Sequence, residues 1–244
     1  MTSRPLVFVT GATQGIGLAT AKSLAIEHSY HVLIGARNKQ TGDKIASELC
    51  AAGHEASAVE LDLTSPTSIA AAATHIEQQF GYLDVLINNA AILIDLQKGL
   101  TSWDLYSQTF TTNIIGTATL TDALIPLLRK AKVSPPRLVF LSSTMGSLEI
   151  SQDQSTPFYS TDYKAYDASK AAVNMLMLNY DRNLRDAGAK VNSVCPGLVK
   201  SNLTAYTDYG TSTEEGAKRV VELATVGEDG PSGTFSNLAG PLPF

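Results

Sequence analysis

The chain has 244 residues, 44% of them hydrophobic, enough for one large α/β domain or two small ones with a substantial core. Its formal net charge is -5 and its Lys and Arg residues are scattered rather than striped, which excludes the basic field that draws in a nucleic-acid backbone. Cys50 and Cys195 form no disulfide framework and fit a reducing compartment. The four histidines show no metal spacing, since His28 and His31 fall on either side of a helix end and a strand start. LVFV near the N-terminus is too short for a signal h-region, and no apolar run reaches the roughly 18 residues a membrane span needs. A cytoplasmic protein is expected, with no metal and neither nucleic acid nor membrane as partner.

In chain order, short runs rich in Val, Leu and Ile read as strands: LVFVT at 6–10, HVLIG at 31–35, ASAVEL at 56–61, DVLIN at 84–88, RLVFLS at 137–142 and KVNSVC at 190–195. They do not alternate polar with apolar, so both faces of the sheet are covered. Between them lie GLATAKSLAIE, KQTGDKIASELCAAG, SPTSIAAAATHIEQQF and the long WDLYSQTFTTNIIGTATLTDALIPLLRKA, all of helical composition. Strand and helix alternate throughout, with no linker, repeat or low-complexity tract. KVSPPR at 132–137 is a helix stop before a strand. The pattern predicts one α/β domain over residues 1–244, a doubly wound parallel sheet with helices on both faces and a ligand crevice at the carboxyl ends of the strands.

TGATQGIG at 10–17 joins the first strand to the first helix. Gly11, Gly15 and Gly17 suit either a plain tight turn or one built around a ligand. At this junction, unpaired N–H groups and the positive helix end can hold a pyrophosphate that backbone without side chains can approach. The spacing G-x-x-x-G-x-G is not the commonest dinucleotide fingerprint. After the second strand, IGARNKQ offers Ala36 and then Arg37 where an NAD site usually presents an acid. A guanidinium there, with Lys39 close by, suits a 2′-phosphate and favours NADP over NAD; a solvated loop arginine is the plainer alternative.

YDASK puts Tyr166 and Lys170 four apart on one helix face. The spacing alone is weak, because a surface tyrosine beside a lysine would produce it too. Chemically it suits ketone reduction, which needs a proton donor as the alkoxide develops. A nearby ammonium, with the positive nicotinamide of oxidised cofactor, would lower the tyrosine pKa from its usual value near 10. Ser143, at the end of RLVFLSS, would emerge at the same crevice and bond the substrate oxygen, with Ser142 its rival by one position. Asn113 is polar among apolar neighbours and needs a partner if buried.

Taken together, TGATQGIG, NNAA at 88–91, Asn113, SS at 142–143, YDASK and CPG at 195–197 resemble the short-chain dehydrogenase/reductase superfamily over essentially the whole chain. GARN, the long interval between Ser143 and Tyr166 and the ending GPSGTFSNLAGPLPF resemble its NADPH-dependent carbonyl reductase group. The resemblance implies a Rossmann fold, with Tyr166 as acid/base, Lys170 orienting the nicotinamide ribose and lowering the tyrosine pKa, Ser143 polarising the carbonyl, and Asn113 holding a water in a proton relay to Lys170. It also implies cofactor contacts from Asp62 beside the adenine, Asn89 and Ala90 beside the adenosine ribose, and Pro196 and Gly197 beside the nicotinamide. Further contacts are expected from Thr13, Gln14, Ile16, Asn38, Leu63 and Val199. Two departures stand out. Ala91 replaces a glycine of the family and would narrow the groove slightly. The 23-residue step from Ser143 to Tyr166 is about ten longer than usual, so EISQDQSTPFYSTDY would either rim the substrate mouth or obstruct the helix packing through which such proteins assemble, leaving monomer or homo-oligomer open.

LVKSNLTAYTDYGTSTEEG, after Gly197, suits a lid over the nicotinamide, with Tyr206 and Tyr209 stacking on an aromatic substrate or simply packing as loop residues. The preferred reading is an oxidoreductase passing hydride from NADPH to a small-molecule ketone or aldehyde. The alternatives are C=C reduction or alcohol oxidation on the same scaffold, and a non-catalytic nucleotide-binding regulator.

Overall fold

A computed structural model describes residues 4–244. Eight strands form one sheet in the order β3-β2-β1-β4-β5-β6-β7-β8. They are β1 (Leu6–Val9), β2 (His31–Ala36), β3 (Glu55–Glu60), β4 (Val85–Asn88), β5 (Arg137–Leu141), β6 (Lys190–Val194), β7 (Thr234–Asn237) and β8 (Gly240–Pro241). All neighbours are parallel except the closing β7–β8 hairpin. The helices are α1 (Gly15–Ile26), α2 (Lys39–Ala51), α3 (Pro66–Gln79), α4 (Ser102–Phe110), α5 (Thr117–Leu128), α6 (Lys164–Leu184) and α7 (Thr213–Thr225). Among the described residues, no helix is long and apolar enough to cross a membrane.

The unbroken apolar strands are explained by two cores. Leu6, Phe8, Leu86, Leu138 and Phe140 face one of them, shared with Ile76 of α3, Leu124 of α5 and Met177 of α6. Val7, Val9, Val85, Ile87 and Val139 face the other, against Leu24 of α1, Leu49 of α2 and Val220 of α7. Successive side chains of one strand thus enter opposite layers, and neither face is left for polar residues. The strand order reverses between β1 and β4, whose register pairs Val7 with Val85, so the crevice opens beyond their carboxyl ends.

Four elements differ from the sequence reading or add to it. The long helical stretch is broken into α4, a π-helical segment Thr111–Gly116, and α5. Gly116 there lies so close to the Leu63 main chain that a Cβ would overlap it, and Asn113 is drawn into bonds outside the helix. β7 and α7 were not anticipated: β7 has four residues, and α7 opens with the polar Thr213, Glu214 and Glu215, which read as loop. The long step after Ser143 folds into two short 3-10 turns, Thr144–Gly146 and Ile150–Gln152, the first lying against α6, where a Cβ on Gly146 would be 2.5 Å from the Lys170 carbonyl carbon.

Candidate active site

The glycine turn sits at the floor of the main cleft. Gly11 and Gly15 have φ of +63° and +56°, a left-handed backbone that side chains resist. Gly17 faces the turn itself: a Cβ would lie 2.6 Å from the Gly11 carbonyl oxygen and overlap the Asn89 amide. That amide donates to the carbonyls of Thr10, at 2.8 Å, and Gly11, at 3.3 Å, tying the end of β4 to the turn. The Thr10 hydroxyl strengthens the tie by accepting from the Asn89 and Ala90 N–H groups, each at 3.0 Å. Gln14 precedes α1 without capping it, and the first turn carries no acidic residue, so neither satisfies the first turn's N–H groups, which have no intrahelical acceptor.

Arg37 and Asn38 follow β2 along the same cleft. Arg37 is exposed and takes part in no ion pair among the described residues. Lys39 is committed to Asp43 at 2.8 Å, leaving Arg37 as the free cation of this stretch. Asn38 accepts from the Thr41 N–H at 3.0 Å and so caps α2. Across from Arg37, hydrogen bonds from the Thr64 N–H and hydroxyl hold Asp62 below the usual carboxylate range, helped by the Arg37 charge.

At the other end of the cleft, α6 presents Tyr166 and Lys170, both buried. The Lys170 ammonium donates to the Leu141 carbonyl at 2.8 Å and lies 5.3 Å from the centre of the Tyr166 ring. Burial lowers the Lys170 pKa to about 8. Burial also pushes the Tyr166 phenol well above its usual value, with Cys195, Asp167 and Asp95 adding in the same direction. In the protein alone, desolvation therefore outweighs the lowering by lysine that the sequence suggested. Ser142 lines the cleft, with its hydroxyl donating to the Lys170 carbonyl at 3.3 Å. Ser143 is half-buried and its oxygen accepts from the Met145 N–H at 3.2 Å, which leaves its own proton free to donate.

The cleft wall gathers Gly11 and Thr13 to Gly17 from the first turn, Arg37, Asn38, Asp62 and Leu63 from the adjoining loops, and Asn89, Ala90, Tyr166, Lys170 and Pro196 further along. Ser143, Gly197 and Val199 are not on it. Gly197 needs glycine for its φ of +77°, and Val199 is buried against Gly216. Asn113 lies behind the wall. Its carbonyl oxygen accepts from the Ile92 N–H, and its amide donates to the Ile92 carbonyl and the Ser169 hydroxyl, at 2.8, 2.9 and 3.0 Å. The Ala91 methyl does line the groove. The 198–212 loop leans on the cleft through Ser201, Asn202 and Leu203, but Tyr206 is 59% and Tyr209 92% exposed, and neither lines it.

Sequence reasoning missed Asp95, whose carboxylate accepts from the N–H groups of Ala165 at 2.8 Å and Tyr166 at 3.4 Å. It also missed Asp167, where burial, followed by repulsion from Asp95 and Asp162, raises the pKa to about 7.

This combination defines a nucleotide-binding α/β fold with a buried Tyr–Lys pair at the far end of the cleft. The short chain dehydrogenase family model matches residues 5–210. The chain is similar to the short-chain dehydrogenase anuI of Penicillium roqueforti (strain FM164), 33% identical over 239 residues that cover 97% of this chain and 94% of that one. Among solved structures it is similar to NADPH-bound carbonyl reductase from chicken fatty liver, with TM-score 0.84 and 27% identity, covering 99% and 100% of the two chains. It is also similar to salutaridine reductase from Papaver somniferum, with TM-score 0.77 and 27% identity over 96% and 100%. The protein belongs to the short-chain dehydrogenase family of oxidoreductases, which bind NAD(P).

Proposed function

We propose that the protein is an NADPH-dependent reductase of a small ketone or aldehyde. The observation that carries this reading is the shared cleft wall, with an uncapped glycine turn at one end and the adjacent, buried Tyr166 and Lys170 at the other. The donor set fits the cofactor. First-turn N–H groups of α1 suit a pyrophosphate, Gly17 lets the helix close against the Gly11 carbonyl and the Asn89 amide, and the unpaired Arg37 guanidinium suits a 2′-phosphate as a charge-assisted fork. Bound there, NADPH would supply the hydride.

This chain's own residues supply the proton and the polarisation. Tyr166, held protonated at neutral pH by its burial, donates to the developing alkoxide. Ser143, with a free hydroxyl proton at the carboxyl end of β5, donates a hydrogen bond to the same oxygen. Lys170, anchored on the Leu141 carbonyl, keeps positive charge beside the tyrosine as its phenolate forms. Asn113 has both amide hydrogens and one acceptor site of its oxygen committed to protein, which leaves its main chain as the freer place for a water in a relay to Lys170.

A fluorescence titration with NADPH and NADH in parallel, followed by a ketone and aldehyde screen, tests this reading. Micromolar NADPH binding with much weaker NADH binding and turnover of a carbonyl is expected. Tight binding of NADPH with no turnover of any carbonyl, enone or alcohol would favour a nucleotide-binding regulator.

A further inference from the structure

We propose that Asp95, in the loop after β4, is a positioning residue that clamps the first turn of α6 and so fixes the catalytic tyrosine against the cofactor groove, an inference that rests on the reductase reading above. Tyr163 precedes α6 without a side-chain cap, and the first backbone bond of the helix is from the Asp167 N–H to the Tyr163 carbonyl at 2.8 Å. Two buried N–H groups of that turn, which have no acceptor within the helix, are met instead from about 70 residues away. Asp95 Oδ1 accepts from Ala165 at 2.8 Å and, more weakly, from Tyr166 at 3.4 Å, charge-assisted bonds at the positive end of the helix.

The same loop is gripped a second time close by. Ile92 is bonded through both its N–H and its carbonyl to Asn113, which donates to Ser169, and the Ser169 hydroxyl donates to the Tyr166 carbonyl at 2.7 Å. The main chain of Tyr166 is thus held on its N–H side by Asp95 and on its carbonyl side through Ser169. At its start the loop carries Asn89 and Ala90, which are tied to Thr10 beside the glycine turn. One strap therefore connects the turn at α1 to the residue that moves the proton.

Asp95 also contributes charge. The groups facing Tyr166 are Asp95 from this loop, Asp167 from α6 and Cys195 from the end of β6, all raising its pKa, with the Lys170 ammonium 5.3 Å from the ring. Asp95 is the smallest of these charge effects, and removing its charge lowers the tyrosine pKa modestly, because a nearby anion disfavours phenolate. Reduction needs the protonated phenol, so the alkaline fall in kcat then moves to lower pH.

The test compares wild type, Asp95→Ala and Asp95→Asn by hydrogen exchange of the 164–170 segment and by kcat, KM and pH profile with a carbonyl substrate. Asp95→Ala should speed exchange at Ala165 and Tyr166 and cut kcat by about 5- to 100-fold, with KM for NADPH changed less than about threefold. Asp95→Asn keeps an acceptor oxygen, so most of kcat should return while the alkaline limb shifts to lower pH, a shift that a purely structural role would not produce. Unchanged exchange in Asp95→Ala, kcat within twofold of wild type, or an unmoved alkaline limb in Asp95→Asn would overturn the proposal with the reductase reading intact. A wild type that reduces no carbonyl would instead overturn that reading, and the proposal with it.

Discussion

Replacing Gly17 by alanine tests the cleft floor with one methyl group. The added Cβ would lie 2.6 Å from the Gly11 carbonyl oxygen, roughly 0.7 Å short of ordinary contact, and would overlap the Asn89 amide. The amide can yield only by losing its bonds to Thr10 and Gly11, and the carbonyl only by moving the turn. Overpacking of this kind costs about 1–3 kcal/mol, offset by up to about 1 kcal/mol because alanine favours the helix. The fold should therefore lose at most about 3 kcal/mol. Binding carries no such offset, and if the turn cradles a pyrophosphate the same displacement should weaken NADPH by about 5- to 150-fold. Fluorescence titration and thermal melting of Gly17→Ala would be read beside Gly227→Ala, whose Cβ would meet nothing within 4 Å. NADPH affinity within twofold of wild type in Gly17→Ala would refute the reasoning.

Tyr166→Phe removes a hydroxyl that bonds no described residue, so melting temperature and NADPH affinity should hold while kcat falls by about 10²- to 10⁴-fold in steady-state assays. Arg37→Glu places an anion where a 2′-phosphate would lie. NADPH binding should weaken by at least about tenfold with NADH little affected, and equal losses for both in parallel titrations would count against a phosphate role. Asp167 has its folded-state pKa raised to about 7, so its favourable contribution is present at low pH and is lost as pH rises from about 4 through 7. Because Asp167 is only half-buried, solvent screening leaves about 1–2 kcal/mol; Asp167→Asn should melt roughly 3–6 °C above wild type at pH 8 and level with it at pH 4. Melting curves at the two pH values check this, and an equal or lower Tm at pH 8 would sink it.

The sheet was legible because each strand feeds two cores. Val7 and Val9 pack opposite Leu6 and Phe8, and a sequence with no polar face has only a covered parallel sheet to form. That the glycine turn, Arg37, Tyr166 and Lys170 share one cleft was legible for a related reason, because each belongs to a local sequence pattern placed at a strand end or on the helix beside one. The break at Thr111–Gly116 was not, since its composition is that of the helices on either side and only the packing of Gly116 on Leu63 distinguishes it. Asp95 left no trace because its partners are 70 residues away. Tyr206 and Tyr209 were open between stacking on a substrate and packing as loop residues; the backbone at Ala205 and Tyr206 is left-handed, and both side chains lie largely in solvent, off the cleft wall. The burial that raises the Tyr166 pKa in the protein without cofactor was not legible, because proximity in sequence says nothing of burial.

The most direct test of the account is the fate of a deuterium label. Wild type and Tyr166→Phe would be incubated with NADPH deuterated at the transferable position and a ketone that the carbonyl screen finds to be turned over, and the alcohol examined by mass spectrometry and NMR. The account predicts one deuterium on the carbinol carbon with wild type, and little or no labelled alcohol with Tyr166→Phe despite unchanged NADPH binding. Label appearing at the carbon β to an intact carbonyl, or equal labelled product from both proteins, would contradict it.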